Sequence, residues 1–83
     1  MPMAAVTIYT KRMCFYCLAA RRLLSSLRVE FEEVRLDGRP ALRRELSDAN
    51  GGWSTVPMIF AGDRFIGGYD DLRRLHRNGD LMQ

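Results

Sequence analysis

The stretch Cys14-Phe15-Tyr16-Cys17 follows a short apolar run, Ala4-Ala5-Val6-Thr7-Ile8-Tyr9, and opens a segment with helical periodicity. Two cysteines three residues apart at a strand-to-helix junction read as a dithiol redox site. The first turn of a helix leaves backbone N–H groups without intrahelical partners, and the helix dipole adds partial positive charge there. A thiolate at that end is stabilised and attacks disulfides at neutral pH. A second cysteine one turn later can reach the first and close an intramolecular disulfide, which releases a captured partner.

Outward from this stretch the elements alternate. Ala5 to Thr10 reads as a buried strand, with Val6 and Ile8 on one face and Thr7 and Tyr9 on the other. Lys11-Arg12-Met13 is a connecting loop. Cys17, Ala20, Leu23, Leu24 and Leu27 share one helical face with Arg21, Arg22, Ser25 and Ser26 off it, and this helix should stop near Arg28. Glu30 to Leu36, with Phe31, Val34 and Leu36 among charges, reads as a second strand. Asp37-Gly38-Arg39-Pro40 is a turn, and Pro40 suits the first position of a helix whose apolar side is Leu42, Leu46 and Ala49. Asn50-Gly51-Gly52 ends it. A loop through Trp53-Ser54-Thr55 leads to Pro57 and a strand, Met58-Ile59-Phe60. Ala61-Gly62-Asp63 turns the chain and Arg64-Phe65-Ile66 pairs back. Gly67-Gly68 breaks that strand. Tyr69 to Asn78 is the last helix, with Asp70 and Asp71 in its first turn and Gly79 past its end. The order βαβαββα, without repeats or linkers, predicts an α/β fold in which three helices flank one four-stranded mixed sheet.

Eighty-three residues suffice for one domain spanning 1–83. Hydrophobic residues at 47% and charged residues at 28% exclude a disordered chain. The longest apolar run is too short to cross a bilayer, and the N-terminus shows no secretory pattern, so no membrane partner is expected. A CxxC without such a signal fits a reducing compartment, and a cytoplasmic location is expected. The net charge of +3 suits anionic small molecules. Arg21-Arg22, Arg43-Arg44 and Arg73-Arg74 fall on separate predicted helices and read as solvated faces. No nucleic-acid partner is expected from them.

Four features, in order and spread over nearly the whole chain, resemble the glutaredoxins. They are Ile8-Tyr9-Thr10-Lys11 before the CxxC, Tyr16 inside it, Thr55-Val56-Pro57, and Gly67-Gly68-Tyr69-Asp70-Asp71. A lone CxxC is moderately specific; the four together are a strong match to the small bacterial-type dithiol glutaredoxins. The resemblance implies a thioredoxin-like fold and a glutathione-dependent thiol–disulfide oxidoreductase. Its expected partners are glutathione as co-substrate and glutathionylated or disulfide-containing proteins, with the chain acting as a monomer.

Cys14, at the helix N-terminus with Lys11 nearby, is the expected nucleophile. Cys17 falls on the apolar stripe and is expected to be the more buried, more protonated resolving thiol. The competing readings are a structural disulfide or half a zinc site. Zinc normally takes four ligands, and beyond the two cysteines the chain offers His76 alone, in a distant helix, so no metal ligand is assigned. The resemblance further implies a cis Pro57 beside the CxxC, with the backbone of Val56 open to an added peptide strand; taken alone, Pro57 merely starts an edge strand. It also implies a glutathione subsite formed by Tyr16, Thr55, Val56, Pro57, Tyr69, Asp70 and Asp71. At that subsite helix N–H groups meet a carboxylate and acidic side chains meet an ammonium group. Ordinary helix capping by Asp is the alternative reading. Lys11 and Arg43 match the family's basic contacts to the glycine carboxylate, with Arg44 as the alternative to Arg43.

Phe15 departs from the family, where Pro is usual. Phe restores a backbone N–H near the thiolate and adds a bulky apolar side chain, or is simply tolerated at an exposed turn. His76 reads as a surface residue, Trp53 as a shield for the loop before Thr55, and the five Met residues as core and termini. Two further readings stay open. One is a [2Fe–2S] cluster held between two monomers by their first CxxC cysteines and two glutathiones. The other is an electron donor reduced by thioredoxin reductase.

Overall fold

The computed structural model describes residues 6–79. Seven elements follow in the order β1 (Val6–Thr10), α1 (Phe15–Ser26), β2 (Phe31–Arg35), α2 (Pro40–Ala49), β3 (Met58–Ala61), β4 (Arg64–Gly67) and α3 (Tyr69–Arg77). The expected start of β1 at Ala5 lies outside the described residues. The strands form one mixed sheet in the order β2-β1-β3-β4. β1 lies inside it, parallel to β2 and antiparallel to β3, and β3 and β4 form an antiparallel hairpin. A parallel pair needs a crossover, and α1 supplies it.

Alternation along β1 sorts the two faces. Val6, Ile8 and Thr10 are buried, while Thr7 and Tyr9 are half-buried. Val6 and Ile8 join Ile59 from β3, Ala20 and Leu24 from α1 and Leu72 from α3 in one core cluster. Burying such side chains stabilises by roughly 1.5–3 kcal/mol each for the larger aliphatic ones. Across the other face runs an aromatic row. Tyr9 meets Phe60 edge-on at 5.7 Å, Phe60 meets Phe65 at 5.1 Å, and Phe65 meets Trp53 edge-on at 5.2 Å. Such offset and edge-on pairs are the favoured aromatic geometries.

The structure changes four details of the expected pattern. Gly67 does not break β4; it is its last residue and pairs with Ile59. Likewise Ala61 belongs to β3, pairing with Val6 and Arg64, so only Gly62 and Asp63 turn the hairpin. On α2, which buries no residue fully, Ala49 is exposed while the other two residues of the stripe, Leu42 and Leu46, are half-buried. Finally, Met13 is neither core nor terminus: it is 94% exposed in the loop before Cys14.

One polar network ties α1 to the sheet. The buried Thr10 hydroxyl donates to the Glu33 carboxylate at 2.6 Å, and Arg21 pairs with the same oxygen at 2.9 Å. This satisfies a buried hydroxyl that would otherwise be destabilising. It also fixes the α1 face that follows the cysteines.

Candidate functional site

Cys14 is the N-cap of α1. Its extended backbone lets the side chain fold back over the first turn, where the Cys17 backbone N–H donates to Cys14 Sγ at 3.2 Å. Sulfur thus takes the place that a serine or aspartate oxygen takes at most caps. On its other side Cys14 Sγ faces the Val56 carbonyl at 3.8 Å, to which the thiol form donates. That carbonyl belongs to the cis Val56–Pro57 bond of the loop entering β3. Residues 42 positions apart therefore meet at one sulfur.

The second cysteine is different. Cys17 is fully buried, and both cysteines are free thiols. Its pKa is pushed up to about 12, first by burial and then by its hydrogen bond to the Cys14 side chain. A hydrogen bond from the Lys11 backbone and the charge of Arg21 pull the other way without reversing the result. Cys17 is therefore, as expected, the more buried of the two, and its burial holds its proton. Compared with its ordinary value of 9.0, a folded Cys17 keeps its proton longer than an unfolded one. Its contribution to stability is complete below pH 9 and falls away as the pH rises toward 12. Urea midpoints should show wild type losing stability relative to Cys17→Ala over that window. At pH 8 iodoacetamide should modify one cysteine, Cys14; modification of both would refute the asymmetry.

Beside the cysteines runs a groove of about 290 Å³ lined by Tyr16, Trp53, Thr55, Val56, Pro57, Gly68, Tyr69, Asp70 and Asp71. Seven of the nine residues expected to bind glutathione converge here. Tyr16 stands 61% exposed with its ring 6.2 Å from that of Tyr69, and the Arg73 guanidinium lies 5.9 Å from the same Tyr69 ring. The other two expected residues stand apart. Lys11 shares a basic depression with Cys14, Arg12, Arg21 and Arg35 rather than lining the groove. Arg43 reaches back from α2 to donate to the Ser54 carbonyl at 3.0 Å, next to Thr55, whereas Arg44 is exposed.

Asp71 has a structural task that capping arguments anticipate. Its carboxylate accepts the Gly68 N–H at 2.9 Å and lies 3.6 Å from Arg74. Asp70 is exposed at the same helix start. Trp53 contributes more than a shield: it lines the groove, and its buried Nε1–H has no partner among the described residues. No spacing rule marks such a residue in a sequence, since it arrives from a loop. Among the described residues, no three His, Cys, Asp or Glu side chains gather as a metal site, and His76 is exposed on α3.

A family model for glutaredoxin matches residues 6–66. The chain belongs to the glutaredoxin family. It is 46% identical over 79 residues to a glutaredoxin of Pseudomonas aeruginosa, covering 95% of this chain and 93% of that one. Glutaredoxin 3 of Escherichia coli is 48% identical over 79 residues, covering 95% and 94%. Among solved structures, a buckwheat glutaredoxin–glutathione complex superposes with a TM-score of 0.88 at 30% identity, covering 94% of this chain and 73% of that one. The solution structure of a Brucella melitensis glutaredoxin gives 0.81 at 40% identity, covering 95% and 85%. These likenesses fix the thioredoxin-like fold of this glutaredoxin and support a thiol–disulfide oxidoreductase role. No helix among the described residues is long and apolar enough to cross a membrane.

Proposed function

We propose that this glutaredoxin uses glutathione to reduce protein–glutathione mixed disulfides and protein disulfides. The observation that carries the reading is the position of Cys14 Sγ. It accepts a helix N-terminal N–H on one side and touches the Val56 carbonyl, a wall of the groove, on the other. A glutathionyl group in the groove would lay its cysteine along the open backbone of Val56 as an added strand. Its γ-glutamyl end would meet the start of α3, the carboxylate facing helix N–H groups and the ammonium facing Asp70 and Asp71. Lys11 and Arg43 would supply positive charge for the glycine carboxylate, with Arg43 also bracing the loop through Ser54.

The chemistry balances as two exchanges. Cys14 thiolate attacks the glutathione sulfur of the mixed disulfide; the new S–S bond forms as the old one breaks, and the protein departs as a thiolate that takes up a proton. A second glutathione thiolate then attacks the glutathione sulfur on Cys14, giving oxidised glutathione and regenerating Cys14. With a protein disulfide, Cys14 joins one of its sulfurs and expels the other as a thiolate. Cys17 then gives up its proton and attacks Cys14 Sγ, expelling the partner, and two glutathiones reduce the resulting Cys14–Cys17 disulfide and leave as oxidised glutathione. The test is turnover of a glutathionylated peptide with glutathione, glutathione reductase and NADPH. Steady oxidation of NADPH that requires the protein is the expected result. No turnover with glutathione, alongside reduction of the Cys14–Cys17 disulfide by thioredoxin reductase, would overturn it.

A further inference from the structure

Three apolar side chains crowd the site without belonging to the core. Met13 is 94% exposed, Phe15 87% and Tyr16 61%. Tyr16 is accounted for by the groove; Met13 and Phe15 are not. Met13 moreover holds a left-handed backbone, φ 53, which a non-glycine residue seldom adopts outside turns and functional sites. Between them lies a second, mainly apolar depression of about 280 Å³, lined by Met13, Cys14, Phe15, Leu18 and Arg21. It adjoins Cys14, yet shares no lining residue with the groove. Exposing two large apolar side chains at the tip of a loop and helix has no benefit for folding. Their place beside a reactive sulfur gives them one in binding.

We infer that Met13 and Phe15 form a docking rim for the protein half of a mixed disulfide, selecting cysteines that have a large apolar neighbour and an acidic residue close by. This rests on the glutathione-dependent reading above. With glutathione filling the groove, the protein that carries it must approach over the remaining surface around Cys14, and that surface is the rim. The depression has room for one aliphatic or aromatic side chain. The charge preference follows from the neighbourhood. Arg21 borders the depression, and Arg12, Arg21 and Arg35 line the basic hollow that meets it at Met13 and Cys14. Two carboxylates lie close to this cluster, Glu33 paired with Arg21 and Asp37 paired with Arg35, so against Lys11, Arg12, Arg21 and Arg35 two positive charges remain in excess. An incoming acidic side chain therefore meets net positive charge.

The test compares four glutathionylated peptides that place Leu or Ser beside the cysteine and Glu or Lys two positions further on. The mixed disulfide of glutathione with 2-mercaptoethanol, which has no chain to dock, is the control. Variants are Phe15→Ser and Met13→Asn, since Asn tolerates the left-handed backbone. Wild type should favour the Leu/Glu peptide over the Ser/Lys peptide by about tenfold in kcat/KM. Either variant should shrink that ratio to about threefold or less while leaving turnover of the small control within about twofold. Equal rates on all four peptides with a normal control rate would overturn the docking rim and leave the glutathione reading intact. No turnover even of the control would overturn that reading and the rim with it. Self-association abolished by Phe15→Ser would give the rim a second copy as its occupant and likewise overturn the assignment.

Discussion

Cys14→Ser should lower glutathione-coupled reduction of a glutathionylated peptide by roughly a thousandfold or more, whereas Cys17→Ser should stay within about threefold of wild type. The difference follows from what each sulfur does. In the proposed reaction Cys14 Sγ forms the new bond, and a serine hydroxyl in its place is a poor nucleophile at neutral pH. Cys17 enters that route only by hydrogen bonds to Cys14: its backbone N–H survives the substitution, and a serine hydroxyl can donate where the thiol did. On a protein disulfide the ranking changes. There Cys17 must expel the partner, and Cys17→Ser should trap a mixed disulfide at Cys14 that gel electrophoresis without reductant detects. Equal loss in both variants on the glutathionylated peptide would mean that the dithiol route operates throughout. Cys14 would then lose its independent role.

The fold was legible because each local signal agreed with the others. Alternation in β1, a helical stripe through Leu27 with its stop near Arg28, the Pro40 start and the Asn50-Gly51-Gly52 stop all correspond to elements within a residue or two of the expected bounds. Misreadings came where pairing rather than composition decides. Gly67 looks like a breaker, but it stands opposite Ile59 as the last paired residue of β4, just past a register shift in the hairpin. Ala49 completes a heptad-like stripe on paper and is nonetheless exposed, because α2 presents only a shallow apolar side. At the site, the motif residues of three separate segments converge on one groove. Spacing predicted the cysteines and the α3 start, since those contacts are local to one helix turn. Nothing local predicts that Trp53 lines the same groove, that Arg43 holds Ser54, or that Met13 stands fully out in solvent. Those depend on where distant segments happen to meet.

Gly67→Ala should destabilise the protein by about 2–4 kcal/mol and at the same time weaken the proposed binding of glutathione in the groove. Gly67 has φ 123, a backbone that side chains rarely adopt, and a Cβ there would run into the Asp71 carboxylate. That carboxylate is the acceptor for the Gly68 N–H and thus holds the first turn of α3 in place. To make room, Asp71 must swing away and leave that N–H without its partner, or the end of β4 must shift. Either way Tyr69, Asp70 and Asp71 move, and they form one wall of the groove. Gly62→Ala is the control. Its φ of 62 is also left-handed, but nothing among the described residues lies within 4 Å of an added Cβ, so strain of about 1 kcal/mol is all it should introduce. Adding Asp71→Ala to Gly67→Ala separates collision from backbone strain. The collision account requires the double variant to be less damaged than the sum of the two single ones, because both remove the same cap. Urea unfolding measures the stabilities, and the KM for glutathione should rise in Gly67→Ala but not in Gly62→Ala. Additive losses would place the effect of Gly67→Ala in its own backbone, independent of the Asp71 cap.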